Sequence, residues 1–423
     1  MLGKPNAFKL SHKMMTIPSL VTKLATSISA EGGRLLAVGG WVRDNIAKRD
    51  SKDVDLEAHN ISSDDLEKVL LSHGKVDFVG KSFGVYKVTI GHQTLDVSLP
   101  RRDSSPTSVH PDPFMGIHEA ARRRDITINA IMLDPLTSEI IDPYNGVEDI
   151  HSKILKEVDK TLFSDDPLRV LRVVRFASIF EFEITDSLAL LCRNCDLSGV
   201  PVERVLTELH RIMLESPHPQ TALRVLSELG QLTTVLPFAA EENLDAMIAN
   251  WRCASGLRNG LSSDHLRLVL MWGAVLQASA DEPSGALGHF KIKRYGKTPL
   301  LKPVADLLNT LSSHSQDLDT LLRTMAEHCD ISTGIALAIA TSSTHTVGIE
   351  ISYLNDRAES LGITKGPLPS LIDGQTLAGL GVSGGPDMGR WIKAVRLEQL
   401  AGRLSTRTEA TNWVKNNFAP SGD

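Results

Sequence analysis

The sequence predicts an α+β protein with its strands gathered near the N-terminus and helices over the rest of its length. Three observations predict it. Short apolar or alternating runs bounded by glycine and turn residues crowd residues 35–143. From Asp165 onward the apolar spacing changes to the helical period and stays there. No apolar run approaches the roughly 18 residues that a membrane span needs.

Taken in order, LLAVGG (35–40) reads as a strand that ends in a glycine pair. VDLEAH (54–59) alternates as a half-buried strand does. SSDDLEKVLLSHG reads as a capped helix closed by Gly74. VYKVTI (85–90) and TLDVSL (94–99) flank the turn residues Gly91 and His92, and AIMLD (130–134) and EIIDP (139–143) bracket a second hairpin turn. These make a small mixed or antiparallel sheet. DPLRVLRVVRFASIF, DSLALLCRNC, PVERVLTELHRIML and QTALRVLSELGQL follow as helices, and residues 280–300 read as a loop or subdomain joint. The expected segments are 1–30 (extension and first helix), 31–160 (head), 161–240 (helical neck) and 241–423 (helical body and tail).

A chain of 423 residues, 42% hydrophobic and 23% charged, is ordinary for a globular protein of about two to four domains. Its four cysteines make no disulfide framework, and Cys192 and Cys195, a lone CxxC, read as core or surface thiols. A net charge of −6 excludes nucleic-acid binding by bulk charge. The positive charge is instead clustered, at Arg122–Arg124 and at Arg169, Arg172 and Arg175. Residues 1–30 carry lysines but no arginine and no acidic side chain, which fits a frayed lead-in better than a targeting segment. A cytoplasmic protein is expected.

Four local patterns carry chemistry. Gly39 and Gly40 follow a strand and precede a helix-like stretch, where backbone N–H groups can approach an anion, and Arg43 can add a phosphate contact. Asp53 and Asp55 are two apart and so share one face of a strand, where they can hold divalent cations of the Mg²⁺ type. Asp96 is a candidate third carboxylate on another strand. Arg124 can meet phosphate oxygens, while Asp125 and Asn129 can hold ribose hydroxyls. Last, Asp165-Asp166-Pro167-Leu168-Arg169 has the look of a helix start, and Arg169, Arg172 and Arg175 form a slowly winding stripe. Alone, each pattern has an ordinary reading as a tight turn, a solvated strand edge, a basic loop or a helix cap.

Asp166 and Arg169 suggest something sharper. Cytosine and adenine each present an exocyclic amino group beside a ring-nitrogen acceptor; uracil and guanine present a carbonyl beside an N–H. A carboxylate that accepts from the amino group and a guanidinium that donates to the ring nitrogen therefore admit C and A and reject U and G.

In this order and combination, GGWVRD…DVD (39–55), LDVSLPRRD (95–103), RRRDITINAIMLDP (122–135), IIDPYNGVEDI (140–150) and DDPLRVLRVVRFA (165–177) closely resemble the class II tRNA nucleotidyltransferase and poly(A) polymerase family, within the polymerase-β-like superfamily. The resemblance covers about residues 35–240. It implies a catalytic polymerase-β-like head with a short mixed sheet, a neck that recognises the base, and a helical body and tail. It puts catalytic Mg²⁺ on Asp53 and Asp55, triphosphate and sugar contacts on Gly40, Arg43, Arg124, Arg172 and Arg175, and base reading on Asp166 and Arg169. It implies CTP and ATP as substrates and tRNA held through its acceptor and T arms, with no membrane or protein partner.

The implied activity is addition of CCA to the tRNA 3′ end, with CC-only addition or poly(A) synthesis as variants and a catalytically inactive RNA-binding relative as the alternative of another class. Two departures stand out. Asp165 replaces the family's usual glutamate, and the stretch 101–116 is shorter than the flexible loop of many relatives, as in enzymes that add only the two Cs. No metal-dependent phosphohydrolase signature appears in the C-terminal half.

Overall fold

The computed structural model describes residues 16–417 apart from 52, 81–83, 106–107, 280–284, 287, 289, 291–293, 313–316 and 342–350. The expectation for the extreme N-terminus, and much of that for 280–300, lies outside them. Within 280–300 the described residues include a two-residue ladder of Arg294–Tyr295 against Thr298–Pro299.

Helix α1 (Ser19–Ala30) buries Val21, Leu24, Ala25 and Ile28, the single face that a 3,1,3 spacing creates, against strand β1 (Arg34–Val38). Helix α2 (Gly40–Ile46) starts directly after Gly39. Strand β2 (Asp55–His59) leads to helix α3 (Ser63–His73), where the Ser62 hydroxyl caps the Asp65 N–H at 3.2 Å. Strands β3 (Lys75–Gly80), β4 (Val85–Ile90) and β5 (Gln93–Ser98) follow as a meander. The stretch read as a loop after them holds an antiparallel pair, β6 (Arg101–Ser105) and β7 (Ser108–Pro111). Its sequence, rich in arginine and serine, has little strand propensity, and its backbone pairing overrides that.

Helix α4 (Ile117–Arg122), a 3-10 turn (Thr127–Asn129), the hairpin β8 (Met132–Leu133) and β9 (Ile140–Ile141), and helix α5 (Gly146–His151) complete the head. The main sheet runs β3-β4-β5-β2-β1-β8-β9. Only β2 and β5 pair in parallel, so the sheet is mixed. Two registers fix the place of Asp55: Val38 faces it across β1 and β2, and Asp96 faces it across β2 and β5.

Strand β10 (Ile154–Leu155) pairs in parallel with β11 (Glu183–Ile184) around helix α6 (Arg169–Phe180). Helix α6 begins later than its sequence suggests. Asp166 precedes a proline and is extended (φ −127°, ψ 99°), because the proline ring excludes the helical region from the residue before it. Helices α7 (Asp186–Asn194), α8 (Val202–Glu215), α9 (Pro219–Glu228) and α10 (Leu232–Val235) come next.

The chain forms two compact units, the first up to Glu208 with Glu228–Gln231, the second comprising Leu209–Ser227 and the residues from Leu232. The segment 161–240 expected as one neck is thus divided between them. In the second unit α11 (Leu244–Leu257) and α12 (Asp264–Gln277) pack with the helices Leu301–Ser312 and Ile331–Thr341. A Cβ on Gly273 would lie 2.8 Å from Leu337, so glycine permits that close approach. Trp251 and Trp272 are fully buried; Nε1 of Trp251 donates to the Met271 carbonyl (2.8 Å) and Nε1 of Trp272 to Nε2 of His210 (3.2 Å). Burial pushes His210 down to about 4, which keeps its ring a neutral acceptor. A separate small core near the C-terminus gathers Ile372, Leu377, Val395 and Val414 beneath Trp391 and Trp413.

Candidate active site

The site grows from one end of the sheet. Gly39 has φ +67°, a conformation that favours glycine, and the position of its missing Cβ lies 3.7 Å from Arg124 Nη1 and 3.8 Å from Asp55 Oδ2. The register brings Asp55 beside this glycine and beside Asp96, while Asp53 stands exposed just ahead of β2. Burial raises the Asp55 carboxyl above the usual carboxylate range; the charges of Asp96 and Asp53 add to that, against the opposing pull of Arg124. Asp96 is partly balanced by Lys87, 3.7 Å away.

Among the described residues no three acidic, histidine or cysteine groups converge closely enough to hold an ion unaided. That is compatible with Mg²⁺, which commonly takes one or two carboxylates and completes its shell with water and substrate phosphates. The mutually repelling carboxylates around Asp55 fit such a cation.

Arg124 is held by a residue that the local motifs did not single out. Its Nη2 donates to Glu57 Oε2 (3.1 Å), and Glu57 Oε1 lies 2.9 Å from Nε2 of the fully buried His59. Burial favours the neutral Glu57 acid, but the His59 hydrogen bond and the Arg124 charge outweigh it and hold the carboxyl low. Glu57 follows Asp55 by two residues, so the strand alternation that pairs Asp53 with Asp55 also points to it.

Behind the glycine pair runs a buried polar chain. Arg43 Nη1 donates to Asn129 Oδ1 (2.6 Å), Asn129 Nδ2 to Asp125 Oδ1 (2.8 Å), and Arg172 Nε to Asp125 Oδ2 (2.7 Å). Burial alone would raise Asp125; the Arg172 charge and the hydrogen bonds from Asn129, Arg172 and the Ile126 N–H reverse this and hold it at about 2. Arg43, Arg172 and Arg175 all lie over the ring of Phe176, at 4.8, 5.6 and 4.4 Å from its centroid.

The arginine stripe is therefore not a row presented to solvent. Arg175 is buried and donates to Glu208 of α8 at 2.7 Å. Steps of three on a helix of 3.6 residues per turn rotate the side chains from Asp125 round to Glu208. Arg169 and Asp166 are held separately. Arg169 donates to the carbonyls of Leu162 (2.5 Å) and Arg123 (2.7 Å), whereas Asp166 accepts from the Leu168 N–H (3.2 Å) and from Arg204 of α8 (2.9 and 3.1 Å). Two backbone carbonyls thus orient Arg169, where Asp165 is shorter than the expected glutamate.

The model of the poly(A) polymerase head domain matches residues 35–156, and that of a probable RNA- and SrmB-binding site of polymerase A matches residues 181–242. The multifunctional CCA protein of Methylobacillus flagellatus is 34% identical over 213 residues, 48% of this chain and 50% of the relative. That of Psychromonas ingrahamii is 36% identical over 218 residues, 48% and 51%. Residues 35–156 and 181–242 thus resemble the class II tRNA nucleotidyltransferase and poly(A) polymerase family.

The chain spans about half the length of these curated relatives. The fold itself extends further. The crystal structure of the CCA-adding enzyme of Bacillus stearothermophilus in complex with CTP covers 95% of this chain and 98% of its own, with a TM-score of 0.75 at 23% identity. The Thermotoga maritima CCA-adding enzyme complexed with tRNA gives 0.63 at 18%, covering 94% and 95%.

Local motifs singled out the glycines, carboxylates and arginines that lie at this end of the sheet; they did not single out Glu57, Phe176, Arg204 and Glu208. Cys192 and Cys195 are buried, with Cys192 pushed up to about 12 by burial, as inert core thiols are. No helix among the described residues is long and apolar enough to cross a membrane.

Proposed function

We propose that this chain is a template-independent tRNA nucleotidyltransferase that uses CTP and ATP to add CCA to the tRNA 3′ end, releasing pyrophosphate. The observation that carries the reading is the meeting of Gly39, Asp55, Asp96 and Arg124 at the end of the sheet. Such a site offers carboxylates for a cation and donors for a triphosphate within one small space.

In this reading Asp53 and Asp55 hold Mg²⁺, with Asp96 alongside. Mg²⁺ bound there would favour ionisation of the tRNA 3′-hydroxyl and balance charge on the departing pyrophosphate. Gly39 and Gly40 let the backbone approach the phosphates. Arg43, Arg124, Arg172 and Arg175 set the positive field in which the triphosphate lies, and the buried Asp125–Asn129 link holds Arg43 and Arg172 in place and borders the sugar. Asp166 accepts from the amino group of C or A, and Arg169 donates to the ring nitrogen. The helical residues from 241 bind the acceptor and T arms of tRNA. A cytoplasmic location accords with these substrates.

The test is incubation of the protein with Mg²⁺ and a tRNA lacking its 3′ CCA, with CTP, ATP or both, read as product length on a gel. Three added nucleotides support the proposal. Two Cs and no A would replace it with CC-only addition, a reading favoured by the short 101–116 stretch. A long A tract would make it a poly(A) polymerase. Asp53→Ala with Asp55→Ala should remove transfer by at least about a hundredfold while tRNA binding persists.

A further inference from the structure

We infer that Arg204, on helix α8, is a specificity-determining residue that aims Asp166 at the incoming base; the inference rests on the base-reading role proposed above for Asp166. A carboxylate offers about four lone-pair positions, two on each oxygen. On Asp166, Oδ1 accepts from the Leu168 N–H at 3.2 Å and from Arg204 Nη2 at 3.1 Å, which fills it. Oδ2 accepts from the same Arg204 nitrogen at 2.9 Å. One lone pair remains, on Oδ2, and its direction is set by the grip of Arg204 on both oxygens.

That remaining position accepts a hydrogen bond from an exocyclic amino group and repels a carbonyl. It is the distinction between C or A and U or G. Arg169 does not supply the grip: its Nη1 donates to the Leu162 carbonyl and its Nη2 to that of Arg123, which leaves further N–H groups for the base. Without Arg204 only the Leu168 N–H restrains the Asp166 carboxylate, which can then turn about its terminal torsion. The acceptor no longer points one way, and the enzyme loses transfer of the correct base more than of the wrong one.

The experiment compares kcat/KM for CTP and for UTP on a tRNA lacking its CCA end, with Mg²⁺, in the full-length wild type, Arg204→Ala, Arg204→Lys and Asp166→Ala. Arg204→Ala should lower the CTP:UTP ratio by about tenfold or more. Arg204→Lys should recover part of it, since a cation still reaches the carboxylate. The Asp166→Ala, Arg204→Ala double variant should be no less selective than Asp166→Ala alone. If Arg204→Ala keeps the wild-type ratio while Asp166→Ala loses it, Arg204 is an ordinary exposed ion pair and the inference is overturned. If Asp166→Ala itself keeps the ratio, the base-reading assignment fails first and takes this inference with it. A thermal melt of each variant separates lost selectivity from lost structure, and Arg204→Lys keeps the test decisive should Arg204→Ala not fold.

Discussion

At the end of the head sheet Arg43, Glu57, Asp125 and Arg175 are buried, and each meets an opposite charge, whereas the second unit buries Trp251 and Trp272 and keeps His210 neutral. Matched charges removed from water rarely stabilise a fold more than apolar packing of the same volume would. The second unit packs its two buried indoles with one acceptor for each N–H, and it meets the buried Arg258 with the carbonyls of Met213 and Ser216. The contrast teaches how a buried polar group can be met: by an opposite charge at the head sheet, by a neutral acceptor in the second unit.

The largest expected effect breaks the matching on the charged side. Glu208→Ala leaves Arg175 buried without its carboxylate and should cost about 3–5 kcal/mol in chemical denaturation. A cost under about 1 kcal/mol would place the pair with ordinary surface ion pairs.

Acid sharpens the comparison, because the two regions lose stability in different windows. His210 has a folded pKa depressed from 6.5 to about 4, so the unfolded chain takes up the proton first. Its contribution is full above 6.5 and is lost as pH falls towards 4, on the order of 3 kcal/mol. Asp125 is also depressed, to about 2, so its contribution disappears later, as pH falls from the usual carboxylate range towards 2. Of the five tryptophans only Trp41 belongs to the first unit, so tryptophan fluorescence reports mainly on the second. His210→Gln should flatten the loss of stability between pH 6.5 and 4 seen by fluorescence; an unchanged slope would remove His210 as its cause.

Smaller effects probe the site itself. Gly39→Ala forces a side chain into a left-handed conformation and should cost about 1–3 kcal/mol, with weaker nucleotide binding because the backbone shifts. Phe176→Leu keeps the apolar volume but removes the ring shared by three guanidinium groups. At about 0.5–1 kcal/mol for each contact, KM for CTP should rise several-fold with the fold intact, and Phe176→Tyr should restore it. An unchanged KM would reduce Phe176 to core packing.

Legibility in the sequence follows the same division. Asp53, Asp55, Arg124, Asp166 and Arg169 were legible as candidates because each stands in a short local pattern. The adjacency of Asp55 and Asp96 depends on strand order, which spacing does not carry. Arg204 and Glu208 lie 38 and 33 residues from their partners and leave no local trace. The strands β6 and β7 were hidden by polar composition. Beyond residue 240 the helical pattern weakened for a physical reason: the helix Ile331–Thr341 buries residues all around its circumference and so shows no amphipathic stripe.

The register of β2 and β5 has a consequence for how this protein can change over generations. Burial, with the charges of Asp96 and Asp53 nearby, makes the ionised Asp55 carboxylate costly to the fold. A screen for heat resistance that ignores activity should therefore recover neutral replacements at Asp55 and Asp96 early. On the nucleotidyltransferase reading proposed above, those survivors would tolerate more heat than the parent and transfer no nucleotide, so continued selection for activity keeps the carboxylates in the lineage.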